Sequence, residues 1–451
     1  MAMVIEQCQV VPPPGELTLP LTFFDIVWLN FHRIRRILFY KLSVTKLDFV
    51  KTIIPTLKHS LSLALQHYMI LAGNVVYPLN SNNLPELRYV TGDSVSVTFS
   101  ESDMDFNFLI GDYPKNAKDF YHFVPKLAEP CKRATGDVQL APLLAIQVTL
   151  FPNHGISIGF TNHHVVGDGA SIVGFIKAWA MLNKLDENER ENLRPFYDRL
   201  VIKDPYGSAT LQWDITKKYK VEMRDIFSIP SNDKVRGTFI LGHDDVIKLK
   251  SLILSRRPSL THVTSFTVTC AYVWTCLIKS EIATTKEEIE DEYGLEYFLC
   301  AADCRARLNP SLPPNYFGNC IVGYIASTRH VDLAGKEGFT IGAEVIGEVI
   351  RKRREDEKWI LNGDWAKEVS AIDKNRKFSV AGSPKHDFYA VDFSWGRTEK
   401  FESVSIDSDT GIAMSLSKSR NSDGNLEVGL CLSKNRMNAF AAIFNHGLSI
   451  L

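Results

Sequence analysis

Between residues 143 and 182, the spacing of apolar side chains changes from two residues to a helical period. Two alternating segments, 143–151 and 156–162, flank a PNHG turn and predict a β-hairpin. An apolar stripe at helical spacing follows from Asp168 onward, made of Ile172, Phe175, Ile176, Trp179 and Leu182. Residues 163–169 are therefore predicted to form a strand-to-helix turn, and the fold class is mixed α/β.

The C-terminal half repeats this combination of elements. Alternating apolar residues on both sides of an NSDG turn at 421–424 predict a second hairpin; they are Ile412, Met414, Leu416, Leu426, Val428, Leu430 and Leu432. A terminal helix is predicted from Met437, Phe440, Ala441 and Phe444. Hairpins and helices are thus expected in both halves.

Residues 184–213 are predicted to connect two lobes. This stretch opens with the charged sequence KLDENEREN, contains Pro195 and a PYG turn, and has no sustained apolar period. We therefore expect an N-terminal lobe over 1–183, the connection over 184–213, and a C-terminal lobe over 214–451.

The near-zero net charge indicates which classes of binding partner to expect. With 51 Lys and Arg against 52 Asp and Glu, the formal net charge of the 451 residues is −1, so no overall field attracts nucleic acid or an anionic membrane. No apolar run reaches the roughly 18 residues of a membrane helix, and the N-terminus lacks a secretory pattern. We expect a cytoplasmic, monomeric protein with small-molecule partners, no nucleic acid and no membrane.

The eight cysteines predict neither a disulfide framework nor a zinc site. They are scattered along the chain and form no CxxC pair, as expected for reduced, mostly buried thiols.

His163, His164 and Asp168 all lie in the predicted strand-to-helix turn, where Gly167 and Gly169 allow close approach of the backbone. A neutral imidazole with an ordinary pKa near 6.5 can take a proton from an alcohol at pH 7. Two other interpretations stay open from spacing alone: Asp168 as a helix N-cap beside interior histidines, and a metal site. Neighbouring strand residues point in opposite directions, which disfavours metal.

Nucleophilic and phosphate-binding motifs are absent. The chain has no GxSxG elbow, no Walker sequence and no dinucleotide glycine pattern. Cations and hydroxyl groups between residues 248 and 267 are candidates for binding a phosphorylated adenine carrier, unless they are ordinary surface residues. The candidates are Lys248, Lys250, Arg256, His262, Thr264, Ser265 and Phe266.

Two motifs together resemble one family. HVVGDG at 164–169 and DFSWG at 392–396 match the HxxxDG and DFGWG motifs of the plant BAHD acyl-CoA-dependent acyltransferases. The resemblance extends through LPLTFFD at 19–25, LAG at 71–73, DCRARL at 303–308 and YFGNC at 316–320. The last of these resembles the branch that acts on flavonoid and other phenolic glycosides, most closely its glucoside malonyltransferases.

The resemblance implies a chloramphenicol acetyltransferase-like fold of two related lobes with a solvent channel between them. It implies that His164 is the general base, and that Asp168 pairs with Arg305 and holds the loop of Gly169 in shape. Asp392 is a second candidate catalytic residue, although its main expected role is to brace the loop that carries Trp395 and Gly396. Ser394 stands where the family has glycine, so a positive φ there would strain it by roughly 1–2 kcal/mol.

The resemblance also implies the reaction. Malonyl-CoA is the expected co-substrate, no permanently bound cofactor or metal is required, and a sugar hydroxyl of a phenolic glucoside is the expected acceptor, attacking directly in a ternary complex. The distal carboxylate of malonyl needs a cation, for which Arg33, Arg35, Arg36 and Lys41 are candidates. A hydroxycinnamoyl or acetyl donor, or a non-catalytic acyl-CoA or phenolic binding protein, remain alternatives.

Overall fold

The computed structural model describes residues 2–79, 81, 83–132, 136–184, 194–218, 223–285, 293–354, 356–407, 411–420, 422 and 424–451. The strands are β1 Met3–Val10, β2 Glu16–Pro20, β3 Ile34–Lys41, β4 Asn74–Pro78, β5 Glu86–Val90, β6 Val95–Glu101, β7 Lys115–Asn116, β8 Cys131–Lys132, β9 Val138–Pro142, β10 Leu144–Phe151, β11 Gly155–Asn162, β12 Lys234–Leu241, β13 Leu295–Asp303, β14 Ile321–Arg329, β15 Lys377–Ala381, β16 Lys400–Ser403, β17 Ile412–Lys418 and β18 Leu426–Ser433.

Helices alternate with these strands, which confirms the mixed α/β class. They are α1 Phe23–Ile26, α2 Lys46–Asp48, α3 Ile54–His67, α4 Phe106–Ile110, α5 Gly169–Leu182, α6 Ser208–Lys218, α7 His243–Arg256, α8 Ser265–Thr284, α9 His330–Ala334, α10 Gly338–Arg354, α11 Glu357–Asn362, α12 Asp364–Ala371 and α13 Lys434–Ser449.

The first hairpin lies at the centre of a sheet. In the described residues this sheet has the strand order β1-β6-β10-β11-β3-β16. β10 and β11 are antiparallel, from Leu144 opposite Asn162 to Phe151 opposite Gly155, and both strands are buried along their whole length. Helix α5 follows, with Ile172, Phe175, Ile176, Trp179 and Leu182 buried. The predicted hairpin, turn and helix are therefore confirmed.

The second hairpin belongs to another sheet. Its order in the described residues is β14-β13-β15-β17-β18-β12-β7, and β17 and β18 pair with Met414 opposite Leu430. Positions 421 and 423 of the predicted turn lie outside the described residues. Helix α13 buries Met437, Phe440 and Phe444, as predicted. A third sheet, β2-β5-β4-β9-β8, lies in the N-terminal half.

Each large sheet contains one strand from the other half of the sequence. β16, after residue 399, pairs with β3 of the first sheet, and β7, before residue 117, pairs with β12 of the second. The apolar cores cross over in the same way. Phe23 and Phe24 pack in the core of the second sheet, whereas Phe388 and Phe401 pack in the core of the first. The two halves are therefore joined by exchanged elements as well as by the chain between them.

The division at 184–213 stays a prediction, because residues 185–193 lie outside the described part of the chain. The eight cysteines are free, and six of them are buried. Within the described ranges, no helix has both the length and the apolar character to cross a bilayer.

Candidate active site

The strand-to-helix turn separates the two neighbouring histidines. His163 is fully buried and is the N-cap of a short 3₁₀ helix over 164–166, where its Nδ1 accepts the Val165 N–H at 3.3 Å. His164 faces the other way and is only half-buried. Of the two, His164 is therefore the one whose imidazole can meet a substrate.

Two aromatic rings hold the imidazole of His164. The indole of Trp28 stacks on it with ring centroids 4.0 Å apart and planes 14° apart, and Phe31 meets it edge-on at 5.3 Å. Its Nδ1 has no hydrogen-bond partner in another described residue. Ring contacts thus fix the orientation of this imidazole.

The surroundings favour the neutral imidazole. Burial lowers the pKa of His164 to about 4, and the positive charge of Arg36 acts in the same direction, against smaller opposing effects that include Asp168. The ordinary value near 6.5 assumed from the sequence is therefore wrong, because the sequence does not show how deeply the ring is buried. At pH 7 the ring is uncharged and can accept a proton.

Asp168 is fully engaged away from His164. Arg305 donates to both carboxylate oxygens, Nη1 to Oδ2 at 2.8 Å and Nη2 to Oδ1 at 3.0 Å. The Ser171 and Cys320 N–H groups occupy the remaining lone pairs, so Asp168 is also the N-cap of α5. Burial raises the pKa of Asp168, but Arg305 and the N–H groups outweigh it and the pKa lies below its usual value. Breaking such a buried pair costs about 3–5 kcal/mol, so Asp168 fixes the turn.

A second hydrogen-bond network, centred on Asn319, holds the turn that contains His164. Asn319 donates its Nδ2 to the carbonyl oxygens of His164 at 3.0 Å and Val165 at 3.3 Å, and to Oδ1 of Asp25 at 3.0 Å. Asp25 is fully buried and also accepts from Arg199. Segment 316–320 thus contacts the backbone of the candidate base directly, and segment 19–25 is linked to it through Asn319.

Gly169 leaves room for its neighbour His386. A Cβ at Gly169 would lie 2.6 Å from Nε2 of His386, which is on a 3₁₀ helix over 384–386. Burial lowers the pKa of His386 to about 4, with Arg36 acting in the same direction. His386 therefore places a second neutral imidazole at the start of α5.

Asp392 organises its own loop. Its Oδ1 accepts the N–H groups of Trp395 at 3.1 Å and Gly396 at 3.0 Å, and Lys184 pairs with Oδ2. Slight burial raises the pKa of Asp392, but Lys184 and the N–H groups of Gly396 and Ser394 more than compensate, so the pKa lies below its usual value. None of its hydrogen bonds within the described residues reaches His164, and its catalytic role stays a prediction.

Ser394 has the left-handed backbone for which glycine is usual. Its φ is +74°, and Gly396 has a φ of +92°. The indole of Trp395 packs edge-on against Tyr40, with centroids 5.5 Å apart, and stacks near Phe393 at 5.6 Å. The loop keeps a compact shape with serine present, at the cost of backbone strain.

The candidate CoA residues lie on two packed helices. Lys248, Lys250 and Arg256 are on α7, and Arg256 already pairs with Glu337 at 3.3 Å. Thr264 is the N-cap of α8, where its hydroxyl accepts the Thr267 N–H. His262, Ser265 and Phe266 stand beside this cap and are partly exposed. The helix N-terminus and the cations suit phosphate, and their role in binding CoA stays a prediction.

Comparison with known proteins identifies the family. The profile of the Transferase family matches residues 6–446. Phenolic glucoside malonyltransferase 1 of Nicotiana tabacum is 68% identical, with 100% of both chains covered. The chain belongs to the BAHD transferase family. It is accordingly an acyl-CoA-dependent acyltransferase, which confirms the family predicted from HVVGDG and DFSWG.

A second relative supports the family, and a solved structure supports the fold. Malonyl-coenzyme:anthocyanin 5-O-glucoside-6'''-O-malonyltransferase of Salvia splendens is 40% identical, covering 98% of this chain and 94% of its own. Among solved structures, vinorine synthase superposes with a TM-score of 0.69 at 19% identity, covering 97% of this chain and 96% of its own. That structure confirms the fold.

Sequence reasoning missed several residues around the candidate base of this BAHD transferase. Trp28, Phe31, Asn319 and His386 contact the HVVGDG turn from distant parts of the chain. A weak signal existed only for the first two, which follow the quoted LPLTFFD segment at helical spacing. No local pattern marks His386.

Proposed function

We propose that this BAHD transferase moves a malonyl group from malonyl-CoA to a sugar hydroxyl of phenolic glucosides, including flavonoid and anthocyanin-type glucosides. Full-length identity of 68% to a phenolic glucoside malonyltransferase supports the donor and the acceptor class. Anthocyanin glucoside malonyltransferases at 40% and 39% identity support the same reaction type.

His164 is the general base of the proposed reaction. The observation that carries this assignment is its neutral, partly exposed imidazole, held between Trp28 and Phe31. The imidazole takes the proton of the sugar hydroxyl as that oxygen attacks the thioester carbonyl. The tetrahedral intermediate then expels the CoA thiolate, and the imidazolium returns the proton to it. Both substrates are bound together, so no acyl-enzyme forms.

The other motif residues position this base. Asp168 and Arg305 fix the turn, and Asn319 holds the backbone carbonyl of His164. Asp392 acts through the shape of the loop that it braces. CoA binds along α7 and the start of α8, at the mouth of a channel between lobes 1–183 and 214–451, in a monomeric cytoplasmic protein.

The direct test measures transfer by the purified protein. Malonyl-CoA is incubated with a panel of flavonoid and naphthol glucosides, and CoA thiol release and product mass are followed. We expect malonylated products from the wild type and a fall in kcat of about 10²–10⁴-fold for His164→Ala, because a positioned base contributes that factor. His59→Ala is the matched control, since His59 is exposed on α3, and it should retain full activity.

The kinetic pattern separates the alternatives. Initial rates with both substrates varied should give intersecting lines, as a ternary complex requires. Parallel lines with an isolable acyl-enzyme would contradict direct attack. Transfer from coumaroyl-CoA or acetyl-CoA but not from malonyl-CoA would overturn the donor assignment.

A further inference from the structure

Strand β3 sends its adjacent arginines to opposite faces of the sheet. Arg35 pairs with Asp225, and its guanidinium lies 4.6 Å from the ring of Phe227. Arg36 faces the other side, where its Nη1 donates to Oδ1 of Asn162 at 2.9 Å. The alternation of the strand therefore separates the ion-paired Arg35 from Arg36, which donates to an amide oxygen.

Arg36 forms no ion pair with any carboxylate among the described residues. In the described part of the chain, no carboxylate lies within ion-pair distance of its guanidinium, and its remaining N–H groups make no hydrogen bond to a described residue. Burial lowers the pKa of Arg36 to about 10, so the side chain stays charged at neutral pH. Arg36 is partly exposed, unlike Arg33 and Arg35, so a bound anion can reach its guanidinium and offset the cost of its desolvated charge.

The position of Arg36 places this charge beside the candidate base. Arg36 is opposite Phe160 in the β3–β11 ladder, and its partner Asn162 is the last residue of β11, immediately before the two histidines. The positive charge of Arg36 is close enough to lower the pKa of both His164 and His386. The guanidinium thus faces the place where the acyl group must react.

The chemistry of the donor supplies the missing anion. In malonyl-CoA the free carboxylate is two bonds from the thioester carbonyl that the sugar hydroxyl attacks, so it must lie close to His164 during transfer. Acetyl and coumaroyl groups carry no charge there. A guanidinium matches a carboxylate through paired N–H donors. The malonyl carboxylate would also accept hydrogen bonds from the N–H groups of Arg36 that bond to no described residue.

We propose that Arg36 binds the free carboxylate of the malonyl group and selects malonyl-CoA over uncharged acyl donors. This inference rests on the proposed function. Of the other cations considered for this carboxylate, Arg35 is occupied by Asp225, Arg33 donates to the Met223 carbonyl at 2.6 Å, and Lys41 is exposed at the far end of β3.

The test compares donors in Arg36→Met. Dissociation constants for malonyl-CoA and acetyl-CoA are measured by calorimetry, with kcat/KM for each donor where transfer is detected. We expect Arg36→Met to weaken malonyl-CoA binding by about 10–100-fold, the range for a hydrogen bond to a charged group, and to leave acetyl-CoA within about twofold. Arg36→Lys should give an intermediate value, because it keeps the charge but loses the paired donors.

Lys41→Met is the matched control, since it removes the same charge from an exposed position on the same strand; it should leave both constants unchanged. An equal loss of both donors in Arg36→Met, in protein with a wild-type melting temperature, would overturn the inference and leave Arg36 as a support for Asn162. Failure of the proposed function has a different result: the wild type itself would neither prefer malonyl-CoA nor transfer malonyl.

Discussion

The imidazole of His164 is partly exposed, and the aromatic rings of Trp28 and Phe31 pack against it. The stacked indole of Trp28 removes water from one face of the ring, which is why burial dominates its pKa. A neutral base is available without a carboxylate partner, and Asp168 is free to serve the turn instead. In the proposed mechanism the cost is a weak base, so the transfer would depend on how the substrates are positioned.

The lowered pKa predicts the pH dependence. Only neutral His164 accepts a proton, and the imidazole is neutral above its pKa of about 4. The kcat/KM for the glucoside at saturating malonyl-CoA should therefore stay level from pH 8 to about pH 6 and fall only at lower pH. Steady-state rates across this range, with circular dichroism at each pH to confirm folding, measure it.

An acid limb centred near pH 6.5 would contradict this prediction. Arg36→Met provides an internal check, because loss of the positive charge favours the protonated ring. The acid limb should then move to higher pH.

Motif positions could be predicted at the residue scale, but their partners could not. HxxxDG identified His164, Asp168 and Gly169 because these residues are adjacent in sequence. Trp28 and His386 reach the same turn only through tertiary packing, so no local spacing indicates them. The pairing of Arg36 with an amide, and with no acid of the described segments, is likewise visible only once neighbouring strands are in place.

The elements with strong periodicity were predictable, and those governed by a single residue were not. The β10–β11 hairpin and α5 follow from their apolar spacing. A π-helical turn over Phe49–Ile53 precedes α3 without any such pattern. Pro55 explains it, because proline has no N–H for the carbonyl four residues earlier and its ring crowds that carbonyl.

Substitutions of Ser394 in the loop of residues 392–396 test whether its left-handed backbone is strained. Ser394→Gly should raise the free energy of unfolding by up to about 1 kcal/mol, because relief of the left-handed strain exceeds the entropy that glycine loses. Ser394→Ala is the matched control, since alanine keeps the strain and removes only an exposed hydroxyl; its stability should not rise. Urea denaturation of both variants measures the difference, and equal stabilities would argue against strain.

At the scale of the whole molecule, a buried ion-pair network binds the exchanged strand β16 to strand β12 of the second sheet. Arg236 of β12 donates to Glu402 of β16 at 3.1 Å, to the Ser403 carbonyl at 2.7 Å, and to Asp407. The side chains of Arg236, Glu402 and Asp407 are shielded from solvent. Glu402 lies in the first large sheet, and Arg236 lies in the second. The contact couples the two sheets.

This coupling predicts cooperative unfolding. Arg236→Met leaves two buried carboxylates without their cation, and the free energy of unfolding should fall by about 3–5 kcal/mol. Calorimetry should show one transition, shifted to lower temperature as a whole. Arg329→Met, which removes an exposed partner of Asp332, should cost less than about 1 kcal/mol. Two separate transitions, with only one shifted, would contradict the coupling.

The β3–β16 pairing has a consequence for synthesis on the ribosome. β3 is made early, but the strand that covers its outer edge ends at Ser403, near the end of the chain. Until that segment emerges, β3 presents open backbone donors and acceptors next to apolar side chains, a template for pairing with another nascent chain. The first sheet therefore stays incomplete along this edge until translation is nearly finished.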